Sequence, residues 1–133
     1  MARKPSRKTM RNKCDKLWAD LIKLIAYNQC EKCGAKHPTL NAHHIFSRSN
    51  FSVRWSYDNG VALCPAHHTL ANNSAHKAPA EFTELLKEWR GEEWYDRLRR
   101  LAKSVAPKPD YEFIEKMLKK QIEQVKEIQA AEK

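Results

Sequence analysis

The chain has 133 residues and a formal net charge of +9, with 25 Lys and Arg against 16 Asp and Glu. Its length suits one domain, 41% apolar content with four each of Trp, Tyr and Phe argues against a wholly disordered chain, and three glycines exclude a collagen-like repeat. No apolar run nears the ~20 residues that span a bilayer, no apolar stretch follows the basic N-terminus as in a secretory leader, and residues 1–60 carry 12 Lys or Arg against 4 Asp or Glu while residues 61–133 carry 13 against 12.

Residues 1–8 are expected to form a basic flexible tail, suited to tracking phosphates or simply solvated. Apolar residues Cys14, Leu17, Trp18, Leu21, Ile22 and Ile25 recur at helical intervals and predict a first helix over about Thr9–Asn28. Leu40–Phe46 predicts a strand, Asp58-Asn59-Gly60 a turn, and Val61-Ala62-Leu63 a second short strand. Pro65 suits the first turn of a helix carrying His67, His68 and Asn72. Pro79 opens another helix, with Phe82, Leu85, Leu86 and Trp89 on its apolar face and Gly91 ending it. A further helix over Glu92–Val105 presents Trp94, Tyr95, Leu98 and Leu101. Pro107 and Pro109 break the chain. Asp110 then caps a last helix whose stripe runs through Phe113, Ile114, Met117, Leu118, Ile122, Val125 and Ile128. That stripe suits packing on the first helix or a partner surface. The organisation expected is a tail over 1–8, a central domain with flanking helices over 9–106, and a C-terminal helix within 107–133.

All six histidines fall between His37 and His76, and Cys30, Cys33 and Cys64 lie in or beside that window. Cys30-Glu31-Lys32-Cys33-Gly34 has the form of a zinc knuckle, and Cys64-Pro65-Ala66-His67 supplies a second pair. Four N/S ligands in two pairs match a closed tetrahedral Zn2+ site. The alternative is four unmetallated side chains in a reduced core. Metal bonds would hold a segment poor in large apolar residues. Cys14 is expected to be a buried small hydrophobe. His43, His44, Asn59 and His68 are polar residues that such a zinc leaves unused. On a strand, His43 and His44 point to opposite faces. Asn72, four residues after His68, would share its helical face. Arg48 and Arg54, in a basic and hydroxyl-rich loop, are candidate phosphate clamps or solvated surface. Trp55 and Tyr57 suit base stacking or packing. His76 suits a solvated position or a metal or phosphate contact.

In Cys30…Cys33, His43-His44-Ile45, Asp58-Asn59 and Leu63-Cys64…His67-His68 the chain resembles the HNH nuclease superfamily, with its ββα-metal finger, in the zinc-stabilised form common in phages and prophages. The likeness covers about residues 30–72 by motif. It departs from the family pattern at His67, which stands where the second Cys of the second pair is usual, and at His43, where many relatives carry Asp. The resemblance implies an α+β, mostly helical fold with a central zinc-stabilised finger between an N-terminal helix and C-terminal helices. It implies a metal-dependent endonuclease acting on DNA phosphodiester bonds. His44 is the general base, and Asn59 orients its ring. His43 and His68, with Asn72 as a further ligand, hold one catalytic divalent ion (Mg2+, Mn2+, Ni2+ or Zn2+). Cys30, Cys33, Cys64 and His67 hold a structural zinc, and Arg48 and Arg54 contact nucleic acid. Expected partners are DNA and, in a phage setting, packaging or recombination proteins, for a cytoplasmic monomer or homodimer. The competing expectation is a non-catalytic, zinc-stabilised nucleic-acid-binding or packaging accessory protein, which leaves His44 and Asn59 without a task.

Overall fold

The computed structural model describes residues 3–133, so Met1 and Ala2 of the expected tail lie outside the described residues. Helix α1 spans Arg7–Ile25. It starts two residues before the predicted Thr9 because the Ser6 hydroxyl accepts the Thr9 N–H, a cap that satisfies a free donor of the first turn. It stops short of Asn28 because Tyr27 and Asn28 take left-handed φ values of 56° and 57°. The Asn28 N–H then donates to the Lys23 carbonyl and closes the helix end.

Strand β1 (Asn41–His44) pairs antiparallel with β2 (Gly60–Leu63), His43 opposite Val61 and His44 opposite Gly60. A single 3-10 turn at Tyr57–Asn59 leads into β2. A π-helical turn, Ala66–Leu70, follows it. Helices α2 (Pro79–Arg90), α3 (Glu92–Lys103) and α4 (Tyr111–Ala131) complete an α+β chain that is mostly helical. Asp110 caps α4 by accepting the Phe113 N–H. Among the described residues, no helix is long and apolar enough to cross a membrane.

Two cores flank the small sheet, and strand alternation assigns β2 to both. Val61 and Leu63 pack with Cys30, Leu40, Val53, Cys64, Phe82, Leu86, Trp94 and Leu98. Ala62 faces the other way, toward Cys14, Trp18, Leu21, Ile22, Trp55, Tyr111 and Leu118. This second core is the seam between α1 and α4. The helices run side by side in the same direction, tied by the Lys13–Glu115 ion pair at 2.8 Å near their starts and by Gln129 Nε2 donating to the Leu24 carbonyl near their ends. Cys14 is buried in this seam, as expected, and burial, with Glu115 and Asp15 nearby, pushes its thiol up to about 11. Trp89, Leu101, Phe113 and Ile128, all on expected apolar faces, stay exposed, because each stripe is wider than the surface its neighbours cover.

Candidate metal centre and imidazole cleft

Cys30, Cys33, Cys64 and His67 converge, each offering one ligand atom, with all four atoms within 4.8 Å of one another. Cys64 Sγ lies 3.3 Å and Cys30 Sγ 3.7 Å from His67 Nδ1, and Cys33 Sγ lies 3.9 Å from Cys64 Sγ. A tetrahedral zinc with Zn–S of ~2.3 Å and Zn–N of ~2.0–2.1 Å needs ligand separations of roughly 3.6–3.8 Å. The four side chains fit that ion, and all four cysteines are free thiols.

The knuckle geometry follows from its sequence. Gly34 takes a φ of 75°, where a Cβ would be strained, and its N–H donates to the Cys30 carbonyl at 2.7 Å. Burial alone would raise the Cys30 thiol. Hydrogen bonds from the backbone at Cys64, Cys33 and Lys32 and from the His67 ring overcome it and bring the thiol down to about 6. At Cys33 a hydrogen bond from the Ala35 backbone is outweighed by desolvation and the neighbouring Cys30 and Cys64 sulfurs, which push that thiol the other way, upward. The thiolate is therefore favoured first at Cys30, the form in which a thiol binds a divalent ion. Glu31 fastens the knuckle to the sheet: its N–H donates to the Ala62 carbonyl, one carboxylate oxygen accepts the Ala62 N–H, and the other pairs with Arg90 at 2.8 Å.

A second group gathers beside the first. His43, His68 and His76 also bring their ligand nitrogens within 4.8 Å of one another, and the Nε2 atoms of His68 and His76 are 2.9 Å apart. Burial, followed by the neighbouring His68, His76 and His44, pushes His43 down to about 3; burial, then His76, lowers His68. Both rings are therefore neutral at pH 7 and able to coordinate. The chemistry of this set suits a transition-metal divalent ion.

Backbone pairing explains why His76 joins. The Ala75 N–H donates to the His67 carbonyl at 2.8 Å and the His76 N–H to the His68 carbonyl at 3.1 Å. The chain leaving the π-helical turn therefore folds back along it. The expectation for Asn72 fails on the same geometry. The turn ends at Leu70 and Ala71 is extended, with ψ of 153°, so no helical face carries both His68 and Asn72. Asn72 is exposed and does not line the cleft.

That cleft, about 700 Å3, is lined by His43, His44, His68, His76, Ser47 and Arg48 among others. His44 is half-buried there. Its Nε2–H donates to the Arg54 carbonyl at 3.1 Å, because a carbonyl oxygen can only accept. Nδ1 is thereby left as the unprotonated nitrogen. Burial, which outweighs the Arg54 carbonyl bond, together with the Arg54 charge, holds His44 below the ordinary imidazole value. Its other support is Trp18, stacked on the ring at 3.9 Å and 10°.

Two expected roles change. Asn59 does not touch the His44 ring: fully buried, its Oδ1 accepts the Phe46 N–H at 2.7 Å and its Nδ2 donates to the Phe46 carbonyl at 3.0 Å. It staples the chain just after β1, two residues beyond His44, to the start of β2. Arg54 is not an exposed clamp but a buried one, bound bidentately to Asp15 at 2.7 and 3.0 Å and donating to the Arg48 carbonyl. Three of its five N–H donors are committed within the fold and the side chain is buried, so it does not stand at the surface as a phosphate clamp would. Arg48 is exposed at the cleft, as expected. Trp55 packs, donating its Nε1–H to Asp15, whereas Tyr57 is exposed. Sequence reasoning missed Trp18 and Asp15, which read only as one core and one charged position of α1. Comparison with family models, curated proteins and solved structures finds no match to this chain.

Proposed function

We propose that the chain is a metal-dependent endonuclease of the HNH type, with a ββα-metal finger formed by β1, β2 and the turn at Ala66–Leu70, hydrolysing DNA phosphodiester bonds. One observation carries the reading: a neutral His44 with its Nε2–H engaged and Nδ1 free stands in the same cleft as the His43, His68 and His76 imidazoles. The centre formed by Cys30, Cys33, Cys64 and His67 needs none of these four rings.

In this reading His44 Nδ1 takes the proton of a water that attacks phosphorus. The Arg54 carbonyl and the Trp18 face hold the ring so that no reorientation accompanies proton transfer. Arg48, at the mouth of the cleft, offers a cation to a phosphate oxygen. A divalent ion held by His43, His68 and His76 would supply charge neutralisation at the phosphate and at the leaving 3′ oxygen. Cys30, Cys33, Cys64 and His67 would hold zinc in a purely structural role, fixing the His67-His68 turn from below. By the family likeness, the products carry 5′-phosphate and 3′-hydroxyl ends.

The experiment is incubation of supercoiled plasmid with the zinc-loaded chain and added Mg2+, Mn2+, Ni2+ or Zn2+. Nicked or linear product, with ends that ligase rejoins, is expected with at least one ion. A chain that binds plasmid yet leaves it intact with all four ions is the non-catalytic accessory protein instead.

A further inference from the structure

We infer that the Asp15 flank of α1, through Arg11 and Lys8, forms a phosphate track that continues the binding surface from Arg48 and receives the backbone of duplex DNA. The inference rests on the nuclease reading for its ligand. Its geometry stands on the distribution of used and unused cations on one helix.

Helix α1 packs against α4 on one side and reaches the loop carrying Arg48 and Arg54 through Asp15 on another. On the α4 side its cations are engaged: Lys13 pairs with Glu115, and Arg7 donates to the Pro109 carbonyl and lies over the Tyr111 ring. On the flank that faces the Arg48 loop, Asp15 is neutralised by Arg54, whose guanidinium also donates to the Arg48 carbonyl. Arg11 sits one turn before Asp15 and seven residues before Trp18, and Lys8 lies three residues further back. At 100° per residue, Arg11 and Lys8 fall within about 40° of Asp15 around the helix, whereas Arg7 lies about 80° away, toward α4. Lys8 is exposed and Arg11 half-exposed. Among the described residues neither makes an ion pair or a hydrogen bond through its side chain.

The chemistry that fits is a polyanion with repeating charge. Arg11 lies about 10 Å along the helix axis from Trp18, and Lys8 about 4.5 Å beyond it, at a rise of ~1.5 Å per residue. Phosphates of one DNA strand advance ~3.4 Å along the duplex axis, so the stretch from Trp18 to Lys8, about 15 Å, spans about four nucleotides. With Asp15 neutralised by Arg54, no free carboxylate on this flank opposes the approach. A small anion would need one cation cluster, not a row; a row is matched by a backbone.

The test measures binding of the full, zinc-loaded chain to a fluorescein-labelled duplex by anisotropy, across a salt series and without added divalent ion. Each phosphate contact contributes ~0.9 to the slope of log affinity against log salt. The Lys8→Ala/Arg11→Ala double variant is expected to lose about 1.8 of that slope, with KM for cleavage raised and kcat unchanged. Alanine favours helix and neither side chain makes an ion pair or hydrogen bond, so the circular dichroism melt should stay close to the parent. Lys116→Ala/Lys120→Ala, exposed on α4, is the control and should keep the full slope. An unchanged slope in the Lys8/Arg11 variant overturns the track while leaving cleavage by the parent chain intact. The expected slope loss in a chain that never cuts supports the track and overturns the nuclease. A parent chain with no affinity for duplex overturns both.

Discussion

The indole of Trp18 lies flat on the imidazole of His44, ring centroids 3.9 Å apart and planes 10° from parallel. The contact is possible because His44 faces Gly60 across the strand pair, and a Cβ there would overlap Ile22 and Trp18. Trp18 is itself tied by its Nε1–H to the Ser56 carbonyl at 2.7 Å. The ring proposed as base is thus held on one face by α1 and at one nitrogen by the Arg54 carbonyl.

This arrangement predicts the protonation state of His44. With its pKa below the ordinary imidazole value of ~6.5, the ring is neutral at pH 7 and gains its proton only as pH falls below that value. The acid limb of the pH–rate profile should therefore lie below pH 6.5, with a flat rate from there to about pH 8. Long-range 1H–15N correlation spectra at pH 7 should show the proton on Nε2 and not on Nδ1. An Nδ1–H tautomer would contradict the proposed role.

The Asp15–Arg54 pair carries the Arg54 carbonyl into place. Asp15→Asn removes the negative partner of a buried guanidinium. It should cost about 3 kcal/mol in urea unfolding, the lower end for a broken buried pair. Cleavage should fall further than duplex affinity, because the His44 support moves while Arg48 remains exposed. Lys16→Ala, which breaks only a surface pair with Asp20, should change stability by under about 0.5 kcal/mol.

His76 should behave as a ligand and Asn72 as a bystander. In titration calorimetry with Ni2+ on the zinc-loaded chain, His76→Ala should weaken the added ion by more than the ~10–100-fold typical of losing an outer-shell partner. Asn72→Ala should leave it unchanged.

Stripping the Cys30, Cys33, Cys64 and His67 centre should unfold the residue 30–76 segment. Structural zinc contributes on the order of 10–16 kcal/mol, comparable with or above the ~5–15 kcal/mol of a typical domain. Strong chelator should abolish the cooperative melt and Cys64→Ala should reproduce that loss, while elemental analysis of the untreated chain should give one tightly held zinc.

The paired Cys and His spacing made the four-ligand centre legible, because two short-range pairs need only be brought together once by the fold. Helix α4 was legible from Asp110 and a long apolar stripe. What escaped was whatever depended on distant or irregular backbone. Offset four implied a helical face for Asn72, but a π-helical turn ends before it and a reversal substitutes His76. Arg54 in a hydroxyl-rich loop looked exposed, since its partner Asp15 is 39 positions away. Asn59 was correctly singled out, yet its bonds go to the Phe46 backbone, a contact that strand register and loop path decide.

Asn59→Ala leaves the Phe46 N–H and carbonyl without their buried partner. It should cost about 2–3 kcal/mol and lower kcat with little change in duplex affinity. Asn59→Asp should not rescue it, because a carboxylate cannot donate to the Phe46 carbonyl.

The central claim is most directly tested by binding and cutting of one labelled duplex by the zinc-loaded chain and by His44→Ala, each with the ion that supports cleavage. The account predicts equal affinity for the two chains and a cleavage rate in the variant at least ~100-fold lower, the scale of a lost general base. Equal cleavage rates would contradict it.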